Sequence, residues 1–305
     1  MTQGQTLVFD GVTKRFGDVA AVSDLDFTVE PGRVTGFLGP NGAGKTTSLR
    51  MLLGLVSTMS GRATIGGKAY ADIPQPMRSV GASLEAAFHP GRSGRAHLGV
   101  VAAAAGIPKD RVGAVLEQTG MTPYADRRVG GYSLGMKQRL GLATALLGDP
   151  GVLVLDEPIN GLDPEGIRWI RSFLRALADE GRTILVSSHL LSEVRQTVDD
   201  VVVIAGGRLR FVGALTALEG AATTGSIVDS PDRAALAAAL TKAGHAPQTT
   251  GEGLTVALEP VEVGRIALAT GVPLSALVAS GAGLEDEFLA LVADPERAAE
   301  GGRAR

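Results

Sequence analysis

The chain has 305 residues, more than one ordinary domain needs, and this length predicts one large domain and one smaller one. Apolar residues make up 45% of the chain, which is enough for a sizeable core. A net charge of −3 provides no general attraction to nucleic acid, so we expect no nucleic-acid partner. The absence of cysteine excludes disulfide bonds and thiolate metal sites and is consistent with a reducing cytoplasm.

The N-terminal region predicts β structure followed by one strand and one helix. Residues 1–5 have neither the charged region nor the apolar core of a secretory signal, so we expect the chain to stay inside the cell. The part around Leu7 to Arg33 predicts antiparallel strands. The apolar stretch Val34 to Leu38 is typical of a short strand, and the apolar rhythm from Leu49 to Val56 predicts a helix.

The loop between this strand and this helix carries the strongest functional signal. Residues 39–46 fit the pattern G-x-x-x-x-G-K-[ST], whose glycines allow several backbone N–H groups to point at a β-phosphate. Lys45 would supply a charge to the β and γ oxygens, and the hydroxyl of Thr46 can bind Mg²⁺. The alternative, a glycine-rich turn that contains Gly-Lys-Thr by chance, is disfavoured by the flanking strand and helix. The predicted nucleotide contacts are Gly39, Pro40, Asn41, Gly42, Ala43, Gly44, Lys45, Thr46 and Thr47.

Two acidic residues follow a second apolar run. Val152 to Leu155 is typical of a fully buried parallel strand, which would deliver Asp156 and Glu157 to its C-terminal edge. We expect Asp156 to hold Mg²⁺ and Glu157 to accept the proton of the attacking water. The alternative is a solvated acidic turn after a core strand.

Between these motifs the chain resembles the ATP-binding cassette family. Residues 132–139, Tyr-Ser-Leu-Gly-Met-Lys-Gln-Arg, match the family's L-S-G-G-Q signature and the basic helix that follows it, and depart from it at Tyr132, Leu134 and Met136. The resemblance implies that Ser133 and Gly135 contact the γ-phosphate of an ATP molecule held by a second copy. By itself this segment is also compatible with a simple helix cap.

Three further segments resemble family motifs in the expected order. Residues 160–164 resemble the D-loop, which implies that Asp163 couples the two sites, although a turn in which Asp163 caps a helix is compatible with the same residues. Residues 187–189 follow an apolar strand and resemble the H-switch, which places His189 at the γ-phosphate. Phe16 resembles the aromatic residue that stacks on adenine, whereas an isolated phenylalanine is usually a core residue.

The chain departs from the family at the Q-loop. The family places a glutamine about forty residues after the loop lysine, and the best match here is Glu85. A carboxylate is also a hard oxygen ligand, so the resemblance implies a metal role for Glu85. The alternative is an exposed loop acid.

The chain divides near residue 214 by pattern. Residues 5–213 predict an α/β domain with a mostly parallel sheet, an inserted helical subdomain at about 81–138 and a closing hairpin at 201–212. Residues 214–305 predict a small α+β accessory domain, with strands at 226–228 and 253–258, helices at about 231–243, 261–270 and 284–292, and a frayed tail from Pro295. The charge-free run from Ile266 to Leu284 is long enough to cross a bilayer, but its glycines and proline favour a helix, a loop and a short buried strand.

The resemblance implies a P-loop ATPase that hydrolyses ATP with Mg²⁺ to drive transport. Two copies would close head to tail on two ATP molecules, as a homodimer on the inner face of the cell membrane, and would act on a separate integral-membrane permease. The Ser-Leu-Gly-Met segment, residues 89–93 and residues 283–288 resemble the ATPases of bacterial two-component drug or antibiotic exporters. The alternative function is that of a soluble ATPase of the same family with a regulatory, immunity or translation-related role.

Overall fold

The computed structural model describes residues 3–84, 87–221, 225–251, 253–279 and 284–293. The chain divides into two compact units, Met1–Leu215 with Leu291–Arg305, and Thr216–Ala290.

The first unit alternates strands and helices along the chain. Its strands are β1 (Leu7–Phe16), β2 (Val19–Val29), β3 (Val34–Leu38), β4 (Ser60–Ile65), β5 (Val80–Ser83), β6 (Val152–Leu155), β7 (Thr183–Ser188), β8 (Asp200–Ala205) and β9 (Arg208–Ala214). Its helices are α1 (Lys45–Leu52), α2 (Pro76–Ser79), α3 (Gly94–Ala104), α4 (Asp110–Gln118), α5 (Leu134–Ala145), α6 (Pro164–Asp179) and α7 (Leu191–Val194). Helix α8 (Leu215–Ala221) begins at Leu215, where the first segment of this unit ends.

A six-stranded sheet forms the centre of this unit, with the strand order β5-β6-β7-β3-β8-β9. All neighbouring pairs are parallel except β8 and β9, which form the predicted hairpin. Gly206 and Gly207 supply the positive φ angles of its turn, +57° and +74°. Strands β3, β6 and β7 are fully buried, as expected for parallel strands with both faces covered. The predicted mostly parallel α/β architecture is therefore confirmed, and the carboxyl ends of β3, β6 and β7 meet at one edge.

A second sheet confirms the predicted antiparallel N-terminal part. Strands β2, β1 and β4 pair antiparallel in that order. The rings of Phe9 and Phe27 stack with centroids 4.3 Å apart, and Phe27 lies 5.4 Å from Phe37 of β3. Aromatic pairs of this kind contribute about 0.5–1.5 kcal/mol beyond their buried area. The three rings belong to one core, which joins the two sheets.

Two boundaries differ from those predicted from the sequence. The helical segment was predicted from about Gly81, but residues up to Ser83 form β5, and α3 begins at Gly94 with Ser93 as its cap. A short apolar run has no periodicity that distinguishes a strand from a helix. Residues 80–83 form a strand because they pair with β6. Helix α1 ends at Leu52 and does not reach Val56, because Gly54 adopts a left-handed φ of +69°.

The second unit is an antiparallel sheet with helices packed on it. Its elements are β10 (Ser226–Asp229), α9 (Arg233–Lys242), β11 (Gln248–Thr250), β12 (Gly253–Val256), α10 (Pro260–Thr270), β13 (Ala276–Ala279) and α11 (Leu284–Ala293), the last of which ends beyond the unit. The strand order β11-β12-β10-β13 and the connection βαββαβ define a split βαβ arrangement. Val228, Leu236 and Leu254 belong to its separate core.

Two features of this unit differ from the prediction. Strand β11 was not predicted, because Gln248, Thr249 and Thr250 are all exposed and carry no apolar alternation. The short buried strand predicted within 266–284 corresponds to β13, but that strand lies at the sheet edge and Val278 is 60% exposed. Within the described ranges, no helix combines the length and the apolar character that a membrane crossing requires. The tail from Pro295 lies outside the described residues.

Candidate active site

The loop between β3 and α1, residues 39–44, forms a concave turn that we call the cradle. A side chain at Gly39 would place Cβ 2.2 Å from the carbonyl oxygen of Ile204, and one at Gly44, where φ is +105°, would place it 2.5 Å from that of Ala21. Only glycine fits these two positions. The loop and the first turn of α1 surround a cleft of about 250 Å³. This cleft is lined by Ala21, Pro40, Asn41, Gly42, Ala43, Gly44, Lys45, Thr46, Thr47 and Glu157.

Lys45 lies at the base of the cradle and is 6% exposed. Its Nζ donates to the carbonyl oxygens of Gly39 at 2.6 Å and Pro40 at 3.3 Å, and lies 3.6 Å from Oε1 of Glu157. Burial lowers the pKa of Lys45, and the negative charges of Glu157 and Asp156 act in the opposite direction. The ammonium group is thus held at the loop by two carbonyl groups and one carboxylate.

Asp156 and Glu157 follow β6 at the sheet edge, as predicted. Oδ2 of Asp156 accepts a hydrogen bond from Oγ1 of Thr46 at 2.7 Å, and Oδ1 accepts one from Oγ of Ser187. The backbone N–H of Glu157 donates to the same Ser187 oxygen at 2.9 Å. Glu157 has a φ of +49°, a left-handed value that is uncommon for a residue with a side chain. The Asp156 carboxylate is therefore held by hydroxyl groups, whereas the Glu157 carboxylate faces Lys45.

His189 completes the group. It follows β7, its Nδ1 lies 2.9 Å from Oε2 of Glu157, and its side chain is 30% exposed. Five residues predicted from three separate segments therefore meet at one edge of the sheet. They are Lys45, Thr46, Asp156, Glu157 and His189.

The signature residues lie at a different cleft, between the first turns of α5 and α6. Ser133 caps α5 and accepts a hydrogen bond from Met136 N at 3.2 Å, and Asp163 caps α6 and accepts one from Gly166 N at 2.8 Å. Both residues and Gly135 line this cleft of about 570 Å³. The helix caps that the sequence left open as alternatives are therefore present.

Leu134, which replaces a signature glycine, packs between these two turns. A Cβ added to Gly161 would lie 2.2 Å from Cδ2 of Leu134, so the leucine covers the D-loop glycine while remaining 50% exposed. Further along α5 the guanidinium of Arg139 lies 4.0 Å from the ring centroid of Trp169 on α6. These contacts join the signature helix to the helix that follows the D-loop.

Comparison with known proteins decides the family. The sequence pattern that describes ABC transporters matches residues 22–160. The bacitracin transport ATP-binding protein BcrA of Bacillus licheniformis is 44% identical over 65% of this chain and 66% of its own length. The lantibiotic transport ATP-binding protein SrtF of Streptococcus pyogenes is 35% identical over 67% of this chain and 88% of its own length.

The chain belongs to the ABC transporter family. Its enzymatic activity is ATP hydrolysis coupled to transport. A solved structure described as the ATP-binding subunit of an ABC transporter is similar with a TM-score of 0.64 and 26% identity, over 70% of this chain and 92% of that one. The segment of this chain that matches the family, residues 22–160, contains the loop of the cradle, the signature and the residues Asp156 and Glu157. The resemblance and the α/β ABC ATPase fold expected from the sequence are thus confirmed.

Two further residues expected from the ABC family are Phe16 and Glu85. Phe16 ends β1, is 52% exposed, and has Nζ of Lys14 at 5.3 Å from its ring centroid. It is not among the described residues that line the cradle. Glu85 lies outside the described residues. The roles of both residues therefore stay predictions.

Sequence reasoning missed several residues of the ABC site. Ser187 was noted only as part of the H-switch, although a polar residue that follows the apolar run of a buried strand is a signal that it has a buried partner. A smaller cleft of about 210 Å³ lies on the other side of Glu157. Besides Leu84, Leu134, Asp156 and Glu157, it is lined by Ser83, Gln138 and Asn160, which no local pattern connects with the carboxylates.

Proposed function

We propose that this chain is the ATP-hydrolysing subunit of an exporter for antibiotic-like molecules and that it drives a separate membrane permease. The observation that carries the ATPase part is the convergence of Lys45, Glu157 and His189 at the cradle. The export part is supported by the relatives BcrA and SrtF, which are described as bacitracin and lantibiotic transport proteins.

The chemistry of the site is positioning and electrostatic stabilisation, as in other phosphoryl-transfer sites. The backbone N–H groups of the cradle and Lys45 would hold the phosphates of ATP. Glu157 would orient and deprotonate the attacking water, because its carboxylate lies beside the cradle, with Oε1 3.6 Å from Nζ of Lys45. His189 would be held toward the γ-phosphate by its contact with Glu157.

The residues at the site fit a Mg²⁺ ion. Thr46 Oγ1 and Asp156 Oδ2 are hard oxygen donors 2.7 Å apart at the start of α1. Among the described residues, no group of three or more acidic or histidine side chains is arranged so that it could hold a metal ion, so the protein would supply few ligands and leave the others to phosphate oxygens and water. That is the usual arrangement for Mg²⁺. When bound, the ion would neutralise charge on the transferring phosphate.

A second copy would complete the site. Ser133 and Gly135 line a cleft at the start of α5, apart from the cradle of the same chain. The N-terminus of a helix of this length favours an anion, since its first N–H groups have no partner within the helix. We therefore propose a head-to-tail homodimer in which Ser133 and Gly135 of one copy bind the γ-phosphate held by the other, with Asp163 beside them.

The remaining proposals concern place and domain roles. Residues 5–213 would be the nucleotide-binding domain and residues 214–305 an accessory domain. The chain would lie in the cytoplasm on the inner face of the membrane, where its permease presents cytoplasmic segments.

The permease proposal is tested by purification from detergent-solubilised native cells with tagged Glu157→Gln, ATP and Mg²⁺, which should hold the closed dimer. Recovery of an integral membrane protein is the expected result, and a tagged Lys45→Ala variant is the matched control that should recover less. Recovery of ribosomes without a membrane protein would contradict the exporter proposal. Loss of the chain should also make cells more sensitive to peptide antibiotics, and Glu157→Gln should fail to restore resistance.

A further inference from the structure

Strand pairing places one buried serine next to both carboxylates. Ser187 is the fifth residue of β7, and none of its surface is exposed. In the parallel pairing of β6 with β7, Leu155 lies opposite Val186. Asp156, which follows β6, and Ser187, the next residue of β7, therefore come together at the carboxyl edge.

The hydroxyl of Ser187 makes two different hydrogen bonds at once. It donates its proton to Oδ1 of Asp156 and accepts the backbone N–H of Glu157 at 2.9 Å. A serine hydroxyl has one donor and two acceptor positions, so it can make both bonds at the same time. One side chain thus connects the side chain of the first acid with the backbone of the second.

These bonds restrain the two acids in different ways. The other oxygen of Asp156 accepts from Thr46 at 2.7 Å, so the carboxylate is held at both oxygens and cannot rotate without losing a bond. Glu157 has a φ of +49°, a backbone region that is unfavourable for a residue with a side chain. The bond from its N–H to Ser187 helps to hold that conformation, which directs the Glu157 side chain to Lys45 and His189.

We propose that Ser187 is a positioning residue for ATP hydrolysis, which holds the Asp156 carboxylate and the Glu157 backbone in the arrangement that the reaction needs. The inference rests on the roles proposed above for Asp156 and Glu157. Ser187 itself would not touch the nucleotide. Partners that orient a metal ligand in this way change metal affinity or activity by about 10- to 100-fold when they are lost.

Three variants test this role in the full chain. Ser187→Ala removes both bonds, Ser187→Thr keeps the hydroxyl, and Thr35→Val is the matched control. Thr35 is 1% exposed and lies on the adjacent strand β3, and its Oγ1 has no hydrogen-bond partner within the described part of the chain. We expect Ser187→Ala to lower kcat by about 10- to 100-fold with little change in KM for ATP. Ser187→Thr should recover most of kcat, and Thr35→Val should resemble the wild type.

A second readout is independent of turnover and of Mg²⁺. Hydrogen exchange of the Glu157 amide in the nucleotide-free protein should be faster in Ser187→Ala and unchanged in Thr35→Val, because only the first variant removes the acceptor of that N–H. Unchanged exchange in Ser187→Ala would overturn the inference even if the variant were less stable.

The outcomes also separate this inference from the proposed function. If Glu157→Gln stops turnover while Ser187→Ala keeps kcat within about threefold of the wild type, the positioning role is wrong and the site stands. If Ser187→Ala and Thr35→Val lower kcat and melting temperature equally, the serine has only a structural role and the inference is overturned. If Glu157→Gln keeps full turnover, the proposed base is wrong and the inference falls with it.

Discussion

Replacing Glu157 with glutamine removes one charge at the site and keeps the size of the side chain. The backbone contact of Glu157 with Ser187 does not depend on the side chain, so the fold of the loop should be retained. The lost carboxylate is the group 3.6 Å from Lys45 and 2.9 Å from His189. ATP should still bind, because the backbone cradle and Lys45 are unchanged.

The expected effect on rate follows from the role of a general base. Loss of such a group lowers the rate by about 10²- to 10⁴-fold, which corresponds to about 3–5.5 kcal/mol of barrier. Burial lowers the pKa of Lys45, and the negative charge of Glu157 raises it. Because the variant removes this charge, the pKa of Lys45 should fall further. Loss of the negative charge leaves the affinity for ATP equal or higher, since the phosphates are themselves negative.

The assay is phosphate release at saturating ATP and Mg²⁺, together with equilibrium binding of a fluorescent ATP analogue. The matched control is Glu117→Gln, the same chemical change at an exposed position of α4. A steady-state rate for Glu157→Gln within about threefold of the control would refute the assignment of Glu157 as the base. Loss of ATP binding in Glu157→Gln would refute the expectation that the cradle binds ATP without this carboxylate.

Three further predictions concern the first unit. Lys45→Ala should weaken ATP binding by about 10- to 100-fold, because a hydrogen bond from a charged donor contributes about 1.5–3 kcal/mol; an unaltered dissociation constant would count against the cradle. Arg139→Met should lower the free energy of unfolding by about 0.5–2 kcal/mol through loss of its contact with Trp169. Zero coupling with Trp169→Leu in a double-mutant cycle would exclude that contact as the cause. Burial, aided by the charge of Arg92, lowers the pKa of His97 below its usual value of 6.5. The contribution of His97 to the free energy of unfolding is therefore fully present above pH 6.5 and is lost as the pH falls through the pKa of the folded state. Urea unfolding between pH 5 and 8 should show a smaller pH dependence for His97→Gln, and equal slopes would contradict this.

The sequence by itself determined the catalytic loop and the parallel sheet. The pattern of residues 39–46 and the apolar run that ends at Asp156 are local signals, since each depends on neighbouring residues and on the backbone they favour. The hairpin at Gly206 and Gly207 was predictable for the same reason. The signature was also visible, because Ser133 lies at a helix start whose capping chemistry is local.

Only the tertiary structure decided which of these side chains meet. Thr46 and Asp156 are 110 positions apart, and they form a hydrogen bond because β3, β7 and β6 are neighbours in one sheet. The double contact of Ser187 follows from the register of β6 with β7, which no single segment encodes. The same holds for β5, which became a strand through pairing, and for β13, whose exposure is set by its place at the edge. Local patterns report backbone preference, whereas contacts between distant residues depend on strand order and register, which minimise exposed apolar surface over the whole unit.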